Sequence, residues 1–201
     1  MNITKNKTIT QDCIGLLTQL IATPSLSRKE EATGDLIASF LKKNGVSPER
    51  VGNNILARSK KWSPVKPTIL LNSHHDTVKP ASGYTKDPFH PEISNGKLYG
   101  LGSNDAGGSL VALMATFLHL QEQDLPYNLL FVASAEEEIS GPNGIAKVRE
   151  QIAPIALGII GEPTQMRMAI AEKGLMVVDG EAKGESGHAA REEGINALYI
   201  A

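Results

Sequence analysis

Three observations predict an α/β protein whose mostly parallel sheet is covered by helices on both faces. Apolar stretches of strand length recur at residues 68–71, 129–133 and 156–160, and such runs are typical of strands buried on both faces. Helical patterns at 108–121 and 143–151 separate these strands. Strands that alternate with helices form βαβ units, in which successive strands run parallel.

The segment before the first strand predicts two helices. Residues 13–23 place apolar side chains at helical spacing, and Pro24 ends this pattern. Ser27 followed three residues later by Glu30 matches a capping box. We therefore expect a second helix that begins near Ser27 and runs to Gly45.

The sequence pattern changes near residue 169. Residues 171–183 have a longer, half-polar strand pattern, and a helical pattern follows from residue 189. The residues after 168 are too few to close a hydrophobic core by themselves. We therefore predict one domain at residues 1–168 and the start of a smaller α+β domain at 169–201, within the N-terminal part of a longer polypeptide.

Composition and charge argue against several kinds of partner. The 201 residues include 20 Lys and Arg against 22 Asp and Glu, for a net charge of −2, so no basic surplus indicates nucleic-acid binding. No apolar stretch approaches the roughly 18 to 20 residues of a membrane span. The polar N-terminus lacks a signal-peptide core, and Cys13 has no disulfide partner in the chain. These features predict a cytoplasmic protein.

Chemically active side chains follow the ends of the predicted strands. His74 and Asp76 follow the first strand, residues 136–138 (three Glu) the second, and Glu162 the third, while Asp105 lies in a glycine-rich turn before a helix. In α/β sheets, ligands bind outside the carboxyl ends of the strands. Because unpaired buried charges are costly, divalent metal ions are the simplest compensation for this group.

His74 and Asp76 are two residues apart, so their side chains should point the same way. The Asp76 carboxylate is expected to accept a hydrogen bond from the His74 ring nitrogen that does not face a metal. His75 should point away from the site and serve a structural role.

Other interpretations of these residues remain open. Residues 136–138 could form a solvated acidic turn, Asp105 could be a helix N-cap, and Glu162 could be a loop residue. Gly100-Leu101-Gly102 begins a dinucleotide-binding fingerprint, but Asp105 occupies the position of its third glycine and would repel a pyrophosphate. The Gly-x-Ser-x-Gly elbow of serine hydrolases does not occur in the sequence.

The motifs in combination resemble the dinuclear zinc deacylases and exopeptidases. This family includes acetylornithine deacetylase, succinyl-diaminopimelate desuccinylase, aminoacylase and glutamate carboxypeptidase, and the resemblance is strongest to the acetylornithine deacetylase branch. It extends from about Thr10 to the end of the chain. The matching segments are residues 74–78 (HHDTV), 100–108 (GLGSNDAGG), 136–138 (EEE), 161–164 (GEPT) and 184–189 (GESGHA).

The resemblance implies that residues 1–168 form a zinc exopeptidase-like catalytic, metal-binding domain with two Zn²⁺ ions, for which Co²⁺ can substitute. By this similarity, His74 and Glu162 bind the first ion, Asp105 bridges both, Glu138 binds the second, and Glu137 is the general base. A cis peptide is implied beside Asp105. The family's last zinc ligand, a His, has no counterpart in these 201 residues.

The resemblance also implies roles for Asp76, Glu136 and His188. Asp76 would assist catalysis by orienting the metal-binding His. His188 would donate to the oxyanion of the partner subunit's site, in a homodimer formed through the lid domain at 169–201. A register shifted by one residue would instead make Glu136 the base and Glu137 the ligand.

The implied reaction is hydrolysis of an N-acyl group from an amino acid, as in the acetylornithine deacetylases of arginine biosynthesis. A succinyl-diaminopimelate desuccinylase, a dipeptidase or a carboxypeptidase of the same family remains open. A protein of another class, a non-catalytic binding protein derived from the family, is also open. That alternative predicts loss of the base or the bridging acid, and the sequence retains both Glu137 and Asp105.

Overall fold

The computed structural model describes residues 3–152, 154–171, 173–174, 176, 178–188, 191 and 193–201. The chain divides into two compact units, Met1–Met166 and Arg167–Ala201. This division lies two residues before the domain boundary predicted from the sequence. No helix among these residues is long and apolar enough to cross a membrane.

The first unit contains a five-stranded mixed sheet in the order β1-β2-β6-β3-β7. Strands β6, β3 and β7 run parallel, whereas β2 is antiparallel to both β1 and β6. A separate hairpin pairs β4 with β5. The strands are β1 (Glu49–Val51), β2 (Asn54–Arg58), β3 (Thr68–His74), β4 (Glu92–Ser94), β5 (Lys97–Tyr99), β6 (Asn128–Ser134) and β7 (Leu157–Ile160).

Helices cover both faces of this sheet, as predicted. One core cluster packs Leu16, Ile37, Leu110 and Phe117 of three helices against the face of the central strands that includes Phe131. The other face buries Leu56, Leu70, Leu130 and Val132 against the fourth helix. The helices are α1 (Ile3–Ala22), α2 (Glu31–Lys43), α3 (Gly107–Leu120) and α4 (Ile145–Ile152).

Strand β7 is not buried on both faces, so that prediction was wrong. All four of its residues are exposed, and Leu157 retains 54% of its accessible surface. The strand lies at the edge of the sheet and pairs only with β3 among the described strands. Its apolar sequence was the reason to expect a buried strand, but its position in the strand order determines its exposure.

The capping box expected at Ser27 and Glu30 does not form. Helix α2 begins at Glu31, and the residue at its N-cap position, Glu30, makes no side-chain capping bond. The Ser27 hydroxyl instead donates to Asp76 over 2.7 Å. The Glu30 carboxylate accepts the side-chain N–H of Asn53 over 2.8 Å. Both side chains are used in longer-range contacts, so they are not available to cap the helix.

The second unit has little regular structure among its described residues. The strand predicted over 171–183 is not found in the described part of that range, which leaves out 172, 175 and 177. A single bridge pairs Glu185 with Ile195, and a short 3₁₀ helix covers Ala197–Tyr199. The helix predicted from residue 189 lies partly outside the described residues, at 189, 190 and 192.

Candidate metal centre

The register of the parallel strands brings the predicted site residues to one edge of the sheet. His74 at the end of β3 is aligned with Ser134 at the end of β6. Asn72 of β3 is aligned with Ile160, the last residue of β7. The segments that follow these strands, with Glu137, Glu138 and Glu162, therefore leave the sheet beside His74.

His74 is 1% exposed, and its two ring nitrogens have different surroundings. Nδ1 donates to the backbone carbonyl of Asp76 over 2.9 Å. Nε2 faces carboxylate oxygens of Asp105 at 3.1 Å, Glu137 at 3.7 Å and Glu162 at 3.8 Å. Because Nδ1 is already bonded, Nε2 is the nitrogen that can bind a metal.

The hydrogen bond expected from His74 to Asp76 thus forms with a different atom. The acceptor is the backbone carbonyl, while the carboxylate oxygen Oδ1 lies 3.4 Å from Nδ1. The carboxylate is occupied by the Ser27 hydroxyl and by the N–H groups of Glu137 and Glu138. Although burial alone would raise the pKa of Asp76, these contacts and the nearby His74 ring hold it below its usual value.

Two overlapping groups of side chains have the composition of a metal site. One consists of His74, Asp105 and Glu138, and the other of His74, Glu137 and Glu162, with the ligand atoms of each group within 4.8 Å of one another. One imidazole with carboxylate oxygens suits Zn²⁺ and similar divalent ions. The residues present therefore fit a divalent metal centre.

The charges at this edge favour a bound cation. Burial alone would lower the pKa of His74, but its contact with Asp76 and the charges of Asp76, Glu162 and Glu137 raise that pKa to about 9. Burial also raises the pKa of Glu138, assisted by the charge of Asp105. The same cause raises the pKa of Glu162. Without a metal ion, a proton on His74 offsets part of the negative charge.

The three carboxylates of the acidic run, residues 136–138, have different surroundings. Glu137 and Glu138 lie in a 3₁₀ helix and belong to the two candidate ligand groups. Glu136 is 5% exposed, and its carboxylate accepts the backbone and side-chain N–H groups of Asn143 at 3.2 and 3.0 Å. The run is therefore not a simple solvated turn, and the Glu136 carboxylate is held by Asn143.

The turn that bears Asp105 is tightly packed. A Cβ at Gly107 would come within 2.4 Å of the Gly102 carbonyl oxygen, so a larger residue at 107 would displace this backbone. The peptide bond between Asp105 and Ala106 is cis, at the position where the family resemblance predicts one. The N-cap of α3 is Ala106, so the interpretation of Asp105 as the cap was wrong.

His75 lies away from the metal-binding group, as expected. Its Nδ1 is 2.9 Å from the Thr33 hydroxyl, and its Nε2 is 3.0 Å from the Asn53 carbonyl oxygen. Burial lowers the pKa of His75 to about 4, so this ring is neutral at physiological pH. His188 belongs to the second unit, where its side chain is exposed.

A cleft of about 240 Å³ borders the candidate centre. Its walls are formed by Thr77, Val78 and Tyr84, by residues 100–105, and by Glu138. The cleft therefore shares Asp105 and Glu138 with the metal-binding group. A small molecule in this cleft would lie next to these two carboxylates.

Sequence reasoning missed two side chains beside this centre. Ser27 and Glu30 were predicted to cap α2, but they contact Asp76 and the acidic run. Their partners lie 49 and 106 residues away in sequence. No local pattern encodes such contacts, whereas the capping pattern was a valid local signal that the folded chain does not use.

The fold and this cluster place the chain among α/β proteins that hold divalent metal ions at the carboxyl edge of a sheet. Residues 70–189 match Peptidase family M20/M25/M40. This match covers more than half of the chain, which therefore belongs to that family.

Two curated relatives show what this chain resembles in sequence. It is 35% identical to an acetylornithine deacetylase of Proteus mirabilis, over 93% of this chain and 52% of the relative. It is 29% identical to a succinyl-diaminopimelate desuccinylase of Xylella fastidiosa, over 89% of this chain and 51% of that protein. The chain thus spans about half the length of the curated relatives it matches.

Solved structures show the same fold at lower sequence identity. Human carnosine dipeptidase 1 matches with a TM-score of 0.62 and 22% identity, over 79% of this chain and 40% of the dipeptidase. A dinuclear metal-binding peptidase of the M20 family from Bacillus subtilis matches with a TM-score of 0.58 and 19% identity, over 77% and 43% of the two chains. These matches confirm the predicted fold class.

The His74 environment predicts that the metal-free protein loses stability as pH rises from 6.5 to 9. The folded-state pKa of His74 is about 9, above its ordinary value of 6.5. The contribution is therefore complete below pH 6.5 and is lost as pH passes through 9, with a magnitude of about 3 kcal/mol. The measurement is the urea midpoint of unfolding, in the presence of a chelator, for protein expressed from its complete reading frame. This midpoint should fall as the pH is raised from 6.5 to 9.

Two controls separate His74 from other groups. His74→Gln should flatten the dependence, whereas His90→Gln, at an exposed position, should leave it unchanged. Bound divalent metal should also remove the loss, because an ion that occupies Nε2 replaces the proton there. An unchanged slope in His74→Gln would contradict the assignment.

Proposed function

We propose that the protein is a metal-dependent hydrolase that removes an N-acyl group from an amino acid. The observation that supports this most directly is the convergence of His74 Nε2 with the carboxylates of Asp105, Glu137 and Glu162 beside a small-molecule cleft. The similarity to acetylornithine deacetylases favours N-acetylornithine as substrate and a place in arginine biosynthesis. Similarity to a desuccinylase supports an N-succinyl amino acid as the second candidate.

In this proposal, His74 and Glu162 would hold the first metal ion, Glu138 would hold the second, and Asp105 would contribute a ligand to both. When bound, two divalent ions would polarise the acyl carbonyl and make a water molecule more acidic. Zn²⁺ is the proposed resident ion, with Co²⁺ as a substitute. Zn²⁺ suits this donor set because it is usually held by imidazole and carboxylate ligands.

Glu137 is the proposed general base and acid. Its carboxylate would accept a proton from the attacking water and later donate it to the leaving amine. The contacts of Glu136 with Asn143 support this register, because a carboxylate held by two donors is less available for proton transfer. Asp76 is proposed to assist through its contacts with His74 and with the backbone of the acidic run.

His188 is proposed to donate to the developing oxyanion of a neighbouring subunit in a homodimer formed through the lid domain. Its exposure is compatible with a contact to another chain. A cytoplasmic enzyme is also proposed, and the lone Cys13, which has no disulfide partner in these 201 residues, supports it. Both proposals come from the sequence and its family resemblance.

A substrate panel tests the proposed reaction. Protein from the complete reading frame, loaded with Zn²⁺ or Co²⁺, should hydrolyse at least one of N-acetylornithine, N-acetylcitrulline, N-succinylornithine and N-succinyl-diaminopimelate, with N-acetylornithine preferred. Release of the free amine is the measurement. A metal-loaded protein inactive on all four would contradict the proposal and favour the non-catalytic binding protein.

Glu137→Gln tests the general base. The amide preserves size and shape but accepts a proton poorly, so kcat should fall by roughly 10²- to 10⁴-fold while bound metal stays near the wild-type amount. Glu136→Gln is the matched control on the same turn, and it should retain much more activity. Equal losses of metal and activity in Glu137→Gln would identify Glu137 as a ligand and favour the shifted register.

Mixed dimers test the role of His188. His188→Ala should lower kcat by roughly 10²- to 10³-fold, by comparison with the removal of other oxyanion donors. Mixing it with Glu137→Gln protein should restore part of the activity, because one hybrid site combines an intact Glu137 with an intact His188. No recovery under conditions of demonstrated subunit exchange would place His188 in its own subunit's site or outside the reaction.

A further inference from the structure

Glu30 is a fully buried carboxylate that connects three parts of the first unit. Its exposed fraction is 0%. Oε1 accepts the N–H of Arg28 at 2.6 Å and the N–H of Glu136 at 3.3 Å, and Oε2 accepts the side-chain amide of Asn53 at 2.8 Å. These donors satisfy buried acceptor oxygens that would be costly to leave without partners. They also join the loop before α2 to the β1–β2 turn and to the acidic run.

Three consecutive backbone N–H groups of the acidic run are bound by two carboxylates. Glu136 donates to Glu30 at 3.3 Å. Glu137 and Glu138 donate to Oδ1 and Oδ2 of Asp76 at 3.1 and 3.2 Å. The backbone of the run is therefore held at three consecutive residues by carboxylates from other parts of the chain.

Glu136 is the residue where this backbone changes direction. Its φ is 51°, in the left-handed region, which costs a residue with a Cβ roughly 1 kcal/mol or more. Such a conformation persists where the surrounding contacts determine it. The acceptor for the Glu136 N–H is Glu30. Glu30 therefore holds the residue whose conformation determines the backbone path of Glu137 and Glu138.

The loop that contains Glu30 is also attached to Asp76. The Ser27 hydroxyl donates to Asp76 Oδ2 at 2.7 Å. The N–H of Thr77 donates to the Ser25 carbonyl at 2.9 Å. The two carboxylates that hold the acidic run are thus fixed to each other through residues 25–30.

We infer that Glu30 is a positioning residue, which fixes the backbone of the acidic run and thereby the directions of the Glu137 and Glu138 side chains. This inference rests on the proposed function, in which Glu137 moves the proton and Glu138 holds an ion. What Glu30 contributes is an acceptor at the correct distance from Glu136. Its negative charge is not the required property.

The two closest substitutions of Glu30 separate distance from charge. Glu30→Gln keeps the length of the side chain and an acceptor oxygen, so its kcat should stay within about threefold of wild type. Glu30→Asp keeps the charge but is shorter by about 1.5 Å, which withdraws the carboxylate from the Glu136 N–H. Its kcat should fall by roughly 10- to 100-fold with a much smaller change in KM.

Asn53→Ala is the matched control. It removes the hydrogen bond to the other oxygen of the Glu30 carboxylate and leaves the Glu136 contact in place. Its urea midpoint should fall by an amount comparable to that of Glu30→Asp, while its kcat should stay near the wild-type value. Stability and positioning are thereby measured in separate variants.

Calorimetric titration with Zn²⁺ gives a readout that does not depend on turnover. Because Glu138 lies on the same run, Glu30→Asp should weaken the binding of one ion by roughly 10- to 100-fold, and Glu30→Gln should not. Wild-type kcat and metal affinity in folded Glu30→Asp would overturn the inference. A Gln variant as impaired as the Asp variant, or an impaired Gln variant beside an active Asp variant, would also overturn it.

The same titration distinguishes failure of this inference from failure of the proposed function. If the wild-type protein binds Zn²⁺ but hydrolyses none of the acyl amino acids, the proposed reaction is wrong. The Zn²⁺ affinities of the Asp and Gln variants then still decide whether Glu30 positions the acidic run. If the wild-type protein is active and the two variants match it in kcat and affinity, only the inference about Glu30 is wrong.

Discussion

The first unit of this protein is organised around the compensation of negative charge at one edge of its sheet. Five carboxylates meet there around the imidazole of His74. They belong to Asp76, Asp105, Glu137, Glu138 and Glu162. Carboxylates so close together repel one another and resist burial. The structure compensates them in two ways, by hydrogen-bond donors and by positive charge. Hydrogen-bond donors compensate the carboxylates that support the site, and positive charge compensates those that face His74 Nε2.

Backbone and side-chain donors compensate the supporting carboxylates. Asp76 accepts from Ser27 and from two N–H groups of the acidic run, Glu30 accepts from the third, and Glu136 accepts from Asn143. Burial alone would raise the pKa of Asp76, but the contact with the His74 ring, followed by these bonds, holds it below its usual value. The carboxylates that face His74 Nε2 are compensated instead by charge, from a proton on the ring or from metal ions. A proton and a metal ion therefore compete for the same atom, Nε2 of His74.

The sequence predicted the parts of this arrangement that depend on local patterns. Apolar runs located β3 and β6, and the parallel order of β6, β3 and β7 made it reasonable to expect that side chains after these strands would meet. The exposure of β7 could not be predicted, because it depends on the place of that strand in the sheet. Asn95-Gly96 between β4 and β5, with φ values of 52° and 73°, is a hairpin signal in the sequence that apolar runs alone do not contain.

The pair Ser27 and Glu30 shows why the supporting contacts were harder to predict than the candidate ligands. A ligand is recognised by its residue type at a strand end, and both properties are visible in the sequence. A supporting carboxylate is defined by the backbone N–H groups it accepts, and every residue except proline has such a group. The sequence therefore leaves the partner of Glu30 undetermined, and the simplest local partner, an N–H at the start of α2, was the natural prediction. The folded chain uses Glu30 at the left-handed residue of the acidic run, because the N–H there is buried and has to be satisfied. The pre-organisation of this site thus depends on residues 25–30. This segment belongs to none of the sequence motifs that indicate the chemistry of the site.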